Sequence, residues 1–287
     1  LKALSKIAKW AFVLMVCAQV YSCRSIPAPS LVIRHGPIEC RSDLSFNETV
    51  CLLNKLTMIQ SSLYAMLDIT PVQPSPLLKV NILLDRKEYI KIVQRFGVPG
   101  KLVDGFCDTN TLEMFILLKP TWLGYGNMTT LFHEFTHLVL TARLIYPDIH
   151  RAVRPFPFWF AEGMACYAEA VSFVDGKVIF GQKNEPRLKL LKSCIEGPQR
   201  IWSSPVFSSD YTKGFALNDY ALAWGLVAYI MSSADLRPQA ALFVKLYPDD
   251  LSNDHCELFR RYFVGNDNTR GEWEKIFFAW LTLAKKP

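Results

Sequence analysis

The sequence predicts an α+β domain with a cleft between its two parts, and three observations predict it. Of 287 residues, 51% are hydrophobic and 20% charged, ample apolar material for a large buried core. Helical and strand periods alternate in the first part of the chain, and the later segments are almost all helical, the layout of an α+β fold. No Gly/Ser linker, charge block or internal repeat divides the chain, so residues 23–287 are expected to form one domain.

The elements follow in order. Val50, Leu53, Leu56, Ile59 and Leu63 recur at helical spacing, so Phe46 to Asp68 reads as an amphipathic helix with Asn47 as its cap, broken by Pro71, Pro74 and Pro76. Leu78–Leu84 reads as a strand and Arg86–Phe96 as a helix ended by Gly97 and Pro99. A turn-rich stretch through Gly105 leads to a second strand, Leu112–Leu118, stopped by Pro120. Helices are then predicted over Thr130–Leu144, Phe158–Val174, Leu217–Ser232, Pro238–Leu246, Cys256–Tyr262 and Glu272–Ala284, with a short strand at Val178–Phe180.

Residues 1–22 have the layout of an export signal: Lys2, Lys6 and Lys9, an apolar run from Trp10 to Ala18, then small and polar residues to Ser22. The run is shorter than the roughly 17 apolar residues that a membrane-spanning helix needs. Val20-Tyr21-Ser22-Cys23 resembles the lipobox of bacterial lipoproteins, in which the Cys is acylated, although Tyr21 fits it poorly. Two readings stay open: membrane attachment through a lipid on Cys23, or ordinary cleavage after Ala18 or Ser22 with Cys23 a plain thiol. Either way the expected location is the bacterial cell envelope, periplasmic or lipid-anchored.

The three lysines of that segment account for half of the formal +6 charge, and the remainder is too weak and too evenly spread for a phosphate-tracking surface. No nucleic-acid partner is expected. Cysteines 40, 51, 107, 166, 194 and 256 include no CxxC unit, which argues against a zinc ribbon or thioredoxin-type site. Cys40 and Cys51 are close enough in sequence for a local loop, and buried free thiols are the plain expectation for most of the others.

The chemistry sits at His133-Glu134-Phe135-Thr136-His137. On a helix, the i, i+4 spacing puts both imidazoles on one side, one turn apart, where they can bind one metal ion with Glu134 beside the remaining position. A hydrolytic zinc site needs this arrangement: the ion lowers the pKa of a bound water to roughly 7 and the carboxylate takes its proton. A catalytic zinc takes three protein ligands and keeps one open position. The candidates for the third ligand are Asp148, His150, Glu162, Glu169 and Glu185. The extended metzincin pattern fails, because it needs Gly and His where the chain has Leu140 and Arg143. Glu162 stands near the start of a helix and is followed by Gly163, whose cost of about 1 kcal/mol inside a helix suggests a close helix-to-helix approach. Such an approach would bring Glu162 to a metal held by the other helix.

His133-Glu134-x-x-His137 followed by Pro157-Phe158-Trp159-Phe160-Ala161-Glu162-Gly163-Met164-Ala165-Cys166-Tyr167, with 24 residues between His137 and Glu162, resembles the HExxH…P-x-W-x-x-E-G-x-A-x-Y pattern of gluzincin-type metallopeptidases, and most of all the bacterial peptidase-MA-like group. The similarity is strong over residues 128–170. Farther on, Asp219-Tyr220-Ala221-Leu222-Ala223-Trp224 is similar to the family's Tyr-led helix, and Gly271-Glu272-Trp273 and Phe278-Ala279-Trp280 echo its C-terminal helix more loosely. The resemblance implies a zincin-like fold, a small strand/helix part packed on a mainly helical part with the active-site helix between them. It implies His133, His137 and Glu162 as Zn2+ ligands, Glu134 as general base, and a peptide or protein as substrate. Gluzincins commonly stabilise the oxyanion with a Tyr or His, and of Tyr220, Tyr211, Tyr167 and His255 the motif position favours Tyr220.

One departure bears on the ligands. The acidic residue that in better-known gluzincins stands one turn after the third ligand, and buttresses a metal-bound His, is replaced by Cys166. Glu169 or a backbone carbonyl would then orient the imidazole, or Cys166 would itself approach the zinc and close the site. The remaining features read as structural: His35 and His255 as surface or capping residues, Arg151 and Arg154 as solvated charges, and the aromatic tract at 156–160 as core between the two metal-binding helices. A cell-envelope binding or scaffolding lipoprotein that keeps the fold without turnover is the alternative, and hydrolysis of a non-peptide amide is a third.

Overall fold

The computed structural model describes residues 31–71, 75–98, 103–121, 124–145, 155–194, 201–208, 215–250, 252–264 and 270–283. The expected export signal, Cys23, Asp148, His150, Arg151, Arg154 and Tyr211 lie outside the described residues. The architecture is α+β, with a sheet in the N-terminal part and a mainly helical C-terminal part.

Five strands form the sheet: β1 (Leu31–His35), β2 (Ile38–Ser42), β3 (Leu78–Leu83), β4 (Gly105–Asp108) and β5 (Glu113–Leu117), in the order β1-β2-β3-β5-β4. The outer pairs β1/β2 and β4/β5 are antiparallel, while β2/β3 and β3/β5 are parallel. Parallel neighbours need crossover connections, and helices α1 (Phe46–Met66) and α2 (Arg86–Gln94) supply them. Alternate side chains of the sheet serve two layers. Val80, Ile82, Met114 and Ile116 join the main core, whereas Leu83, Phe115 and Leu117 pack against Tyr89, Ile92 and Val93 of α2.

Helix α1 buries Leu52, Leu53, Leu56, Ile59 and Leu63, as its periodicity requires. Its cap is Ser45 rather than Asn47: the Ser45 hydroxyl accepts from the Glu48 backbone N–H and the Glu48 side chain returns to the Ser45 N–H, a reciprocal capping box. Strand β1 opens on the apolar run Leu31-Val32-Ile33, which lies outside the predicted elements, and β2 and β4 carry no apolar run in the sequence. β1 is half exposed, with Gly36 at φ 58° and Pro37 making the turn to β2, and β4 is a four-residue edge strand that begins with glycine.

After the hairpin of β6 (Lys119–Thr121) and β7 (Gly124–Gly126) come α3 (Met128–Ile145) and α4 (Phe158–Ala168). Asn127, at φ 65°, directs its Nδ2 to Asp104 at 3.1 Å and to the Leu117 carbonyl at 3.4 Å, which pins the start of α3 to the sheet. The predicted helix Phe158–Val174 is shorter than its pattern suggests. It stops at Ala168, and Ser172–Val174 instead forms β8, paired with β9 (Lys177–Ile179) across Asp175-Gly176. Both turn residues have positive φ, 49° and 70°, the Asp-Gly signature of a tight hairpin that overrides helical periodicity.

The rest is helical: α5 (Glu185–Cys194), α6 (Leu217–Ser232), α7 (Arg237–Leu246), α8 (His255–Phe259), continued by a π-turn over Arg260–Val264, and α9 (Arg270–Leu283). Helix α5 has a sequence signature that the apolar pattern alone did not reveal. Asn184 accepts from the Arg187 N–H, Pro186 stands in the first turn, and Leu188 and Leu191 are buried. The aromatic tract at 156–160 is core, but shared with the C-terminal helices. Trp159 contacts Phe243, Phe259 and Phe263, and Phe156 contacts Phe243 and Tyr247. Gly163 does mark a close approach, but to α6 rather than α3: a Cβ there would lie 2.5 Å from the Ala223 carbonyl oxygen and 2.5 Å from Val227 Cγ2.

Cys40 and Cys51 are both free thiols, as are Cys107, Cys166 and Cys256 among the described residues. Cys40 points into the core from β2 while Cys51 is on the exposed face of α1, so their side chains diverge. No described helix is long and apolar enough to cross a membrane.

Candidate metal centre

Helix α3 buries Leu131, Phe135, Leu138 and Val139 and turns His133, Glu134 and His137 toward a cleft. The spacing of four brings the two imidazoles one above the other, with Nε2 to Nε2 at 3.2 Å. Helix α4 packs against α3 and delivers Glu162 from its second turn, with Oε2 at 3.2 Å from His133 Nε2 and 3.3 Å from His137 Nε2. The three side chains are between 12% and 20% exposed, shielded but reachable.

The donor atoms fit a metal ion. Tetrahedral coordination with bonds of about 2.0–2.1 Å separates neighbouring ligand atoms by about 3.3–3.4 Å, and the observed triangle of 3.2, 3.2 and 3.3 Å has nearly those edges. Glu162 Oε2 is buried and makes no hydrogen bond, an orphan that a cation would satisfy. Burial works to raise the pKa of Glu162, but the neighbouring His137 and His133 outweigh it and hold the carboxyl far below its ordinary range. Burial also opposes charge on His133. There the neighbouring Cys166, Glu162 and Glu169 side chains prevail, and its pKa stands well above the usual imidazole value. The surroundings thus favour positive charge at this point.

Of the other candidates for third ligand, Glu185 is an exposed residue paired with Lys183 at 2.6 Å, and Glu169 meets the opposite nitrogen of His133. Glu169 Oε1 lies 3.0 Å from His133 Nδ1, while Cys166 Sγ is 4.0 Å from the same atom. Glu169 therefore takes the buttress role that Cys166 vacates. Burial works to raise the Glu169 pKa, yet hydrogen bonds from His133 and Arg187 hold it at about 2, so it is an ionised acceptor and Nδ1 is the protonated nitrogen. His133, Cys166 and Glu169 also cluster closely enough to hold an ion. Arg187 already grips both oxygens of Glu169, at 2.7 and 3.1 Å, and supplies the charge a metal would bring. Burial raises the Cys166 pKa, which keeps its sulfur a thiol. Cys166 thus belongs to the Nδ1 side of His133 and not to the triangle that includes Glu162.

A cleft of about 270 Å³ opens in front of the triangle, walled by Val98, Val103 and the β4 residues Gly105, Phe106 and Cys107. Glu134 faces it, and burial, partly countered by His133 and His137, raises the pKa of its carboxyl. Strand β4 passes so close over α3 that a Cβ on Gly105 would meet Thr130 Cγ2 at 2.6 Å and Glu134 Cγ at 2.9 Å, so glycine is required there. Tyr220, in the first turn of α6, lines the same cleft. Burial, aided by the charge of Glu162, pushes its pKa up to about 12, so the phenol is a proton donor at neutral pH. Tyr167 stacks on Phe180 instead and lies under Gly181. His255 is a buried residue at the start of α8 rather than a surface one. The sequence offers Glu169 as one option for orienting the imidazole, but it carries no signal for Asn184 and Arg187, which lie before and in a helix whose link to the site exists only in three dimensions.

A family model described as a protein of unknown function (DUF1570) matches residues 127–244, a span that holds His133, Glu134, His137, Glu162, Glu169, Arg187 and Tyr220. No curated protein matches the chain. The matched span begins at Asn127, just before α3, and ends inside α7, so the similarity follows the helices that carry the candidate site and leaves the five-stranded sheet outside it.

Proposed function

We propose that this chain is a zinc-dependent metallohydrolase of gluzincin type, with a zincin-like arrangement of sheet and helices over residues 23–287, and that it hydrolyses peptide bonds. The observation that carries the proposal is the triangle of His133 Nε2, His137 Nε2 and Glu162 Oε2, with Glu134 and Tyr220 facing the same cleft. Two imidazoles and one carboxylate are a donor set of catalytic zinc sites, which leave a coordination position open. Bound there, zinc would act as a Lewis acid on a carbonyl and bring the pKa of water toward neutrality.

The chain's own residues supply the rest. Glu134, one position from a proposed ligand, half-buried and with a raised pKa, suits a base that takes a proton from water and returns it to the leaving amine. Tyr220, a phenol that stays protonated, suits a donor to the oxyanion that develops on the carbonyl. Glu169 accepts from His133 Nδ1 and so selects the tautomer that keeps the Nε2 lone pair on the metal side. The argument for a peptide is β4. It pairs with β5 on one side only, stands at the edge of the sheet and walls the cleft, so an extended substrate backbone can add beside it. The signal-like residues 1–22 support action in the cell envelope, free or lipid-anchored through Cys23.

The test is zinc content by mass spectrometry of metals, followed by hydrolysis of a peptide library. About one zinc per chain with peptide cleavage, and Glu134→Gln keeping the zinc but not the cleavage, would support the proposal. A folded chain that takes up no offered zinc would overturn it. Zinc without cleavage of any peptide or amide would favour a binding protein on the same scaffold.

A further inference from the structure

Arg187 stands in the first turn of α5, a helix with no part in the metal-facing triangle, yet its guanidinium touches two functional pieces at once. Toward Glu169 it presents a fork: Nη2 donates to Oε1 at 2.7 Å and Nε to Oε2 at 3.1 Å. Asn184 Nδ2 donates to the same Oε2 at 2.9 Å, and Asn184 Oδ1 receives the Arg187 backbone N–H, so the clamp is itself held. With these donors in place, the remaining partner of Oε1 is His133 Nδ1, at 3.0 Å. In the other direction the guanidinium carbon lies 5.7 Å from the centroid of the Tyr220 ring, which also meets Phe158 edge-on at 5.3 Å.

An ion pair in this position is a poor choice for stability alone. The Arg187 and Glu169 side chains are 19% and 14% exposed, and removing two charges from water to that degree costs more than packing apolar side chains of the same size. What the pair supplies is geometry. A guanidinium is planar and rigid, can bind a carboxylate with two bonds and can lie against an aromatic ring at the same time. An ammonium is a point charge and cannot do all three.

We infer that Arg187 is a positioning residue, which fixes the Glu169 carboxylate that orients His133 and holds the Tyr220 ring, so that a metal ligand and the proposed oxyanion donor are set by one side chain. The inference rests on the metal-centre reading above, but part of its test does not depend on metal or turnover.

The variants are Arg187→Lys, which keeps the charge, and Arg187→Met, which keeps the length. In the metal-free chain, proton NMR with 15N-labelled histidine should show a slowly exchanging, downfield Nδ1–H of His133. That signal should broaden or vanish in both variants, and the Tyr220 ring resonances should move. In cobalt titrations, affinity should fall by about 10–100-fold, the range found when a partner of a ligating histidine is lost, with an altered visible spectrum. In a peptide assay kcat should fall more than KM rises. A merely structural role predicts a lower melting temperature with the Nδ1–H signal, the Tyr220 resonances and cobalt affinity unchanged, and that result in folded Arg187→Lys would overturn the inference. Should Arg187→Met fail to fold, Arg187→Lys decides alone. Should the parent bind no metal, the metal-centre reading fails while the two NMR signals still decide the role of Arg187.

Discussion

Gly163→Ala separates local propensity from tertiary packing, and the two predict opposite signs. Inside a helix, alanine is favoured over glycine by about 1 kcal/mol, so on α4 alone the substitution should stabilise. In the folded chain the new methyl would sit 2.5 Å from the Ala223 carbonyl oxygen, 2.5 Å from Val227 Cγ2 and 3.0 Å from the Ala223 carbonyl carbon. Two of these three atoms are backbone of α6 and cannot rotate away, so α4 and α6 must move apart. Overpacking of this kind costs about 1–3 kcal/mol, and rigid neighbours place it at the upper end. Set against the propensity gain, the net loss is about 2 kcal/mol, a fall of roughly 4–8 °C in melting temperature for a chain of this size. Urea unfolding at equilibrium measures it. The control is Gly271→Ala in the first turn of α9, where nothing lies within 4 Å of the added Cβ and the change should be neutral or stabilising by up to about 1 kcal/mol. Because Glu162 is the adjacent residue, Gly163→Ala should also weaken zinc binding. A Gly163→Ala chain as stable as the parent would refute the close α4–α6 approach and the account of why glycine stands there.

Other outcomes follow from the same geometry. His137→Ala and Glu162→Ala should each fold and lose zinc, as measured by metal mass spectrometry, because two of three ligands hold the ion poorly. Glu134→Gln should keep the zinc and lower peptide turnover by about 10²–10⁴-fold, the usual contribution of a general base. Tyr220→Phe should retain zinc and substrate affinity and lower kcat by roughly 10²–10³-fold if its hydroxyl serves the oxyanion, readable from steady-state kinetics. Under native conditions a thiol reagent followed by peptide mapping should modify Cys51, which is exposed, and spare Cys40 and Cys166, which are buried; burial pushes the Cys40 pKa to about 12. Labelling of Cys40 at the rate of Cys51 would show that β2 opens readily.

Much of this molecule is local, and the local part is legible in the chain. The period of α1, the breakers after Gly97, and the boundaries of α6 at Leu217 and Ser232 all follow from side-chain pattern and turn chemistry. So does the pairing of His133 with His137, because the helical repeat alone places residues four apart on one side. The choice of Glu162 follows from motif resemblance rather than from spacing, since 24 residues separate it from His137 and a loop of that length has no set path. Only packing of α4 on α3 and α6 brings its carboxylate to 3.2 Å from an imidazole. Strand β4 stayed hidden because an edge strand of four residues beginning with glycine has no apolar run, and its place over Glu134 depends on β5. The same holds for Asn184 and Arg187. A cysteine stands where the motif calls for an acid, and the carboxylate that replaces it is supported by a helix whose pattern looks ordinary. The sequence by itself determined most of the helices and the pairing of the two histidines, because those depend on contacts one turn apart. The tertiary structure decided which carboxylate meets the two imidazoles, which one orients His133, and where the cleft opens, because those depend on which elements meet, and that is set by the shared core.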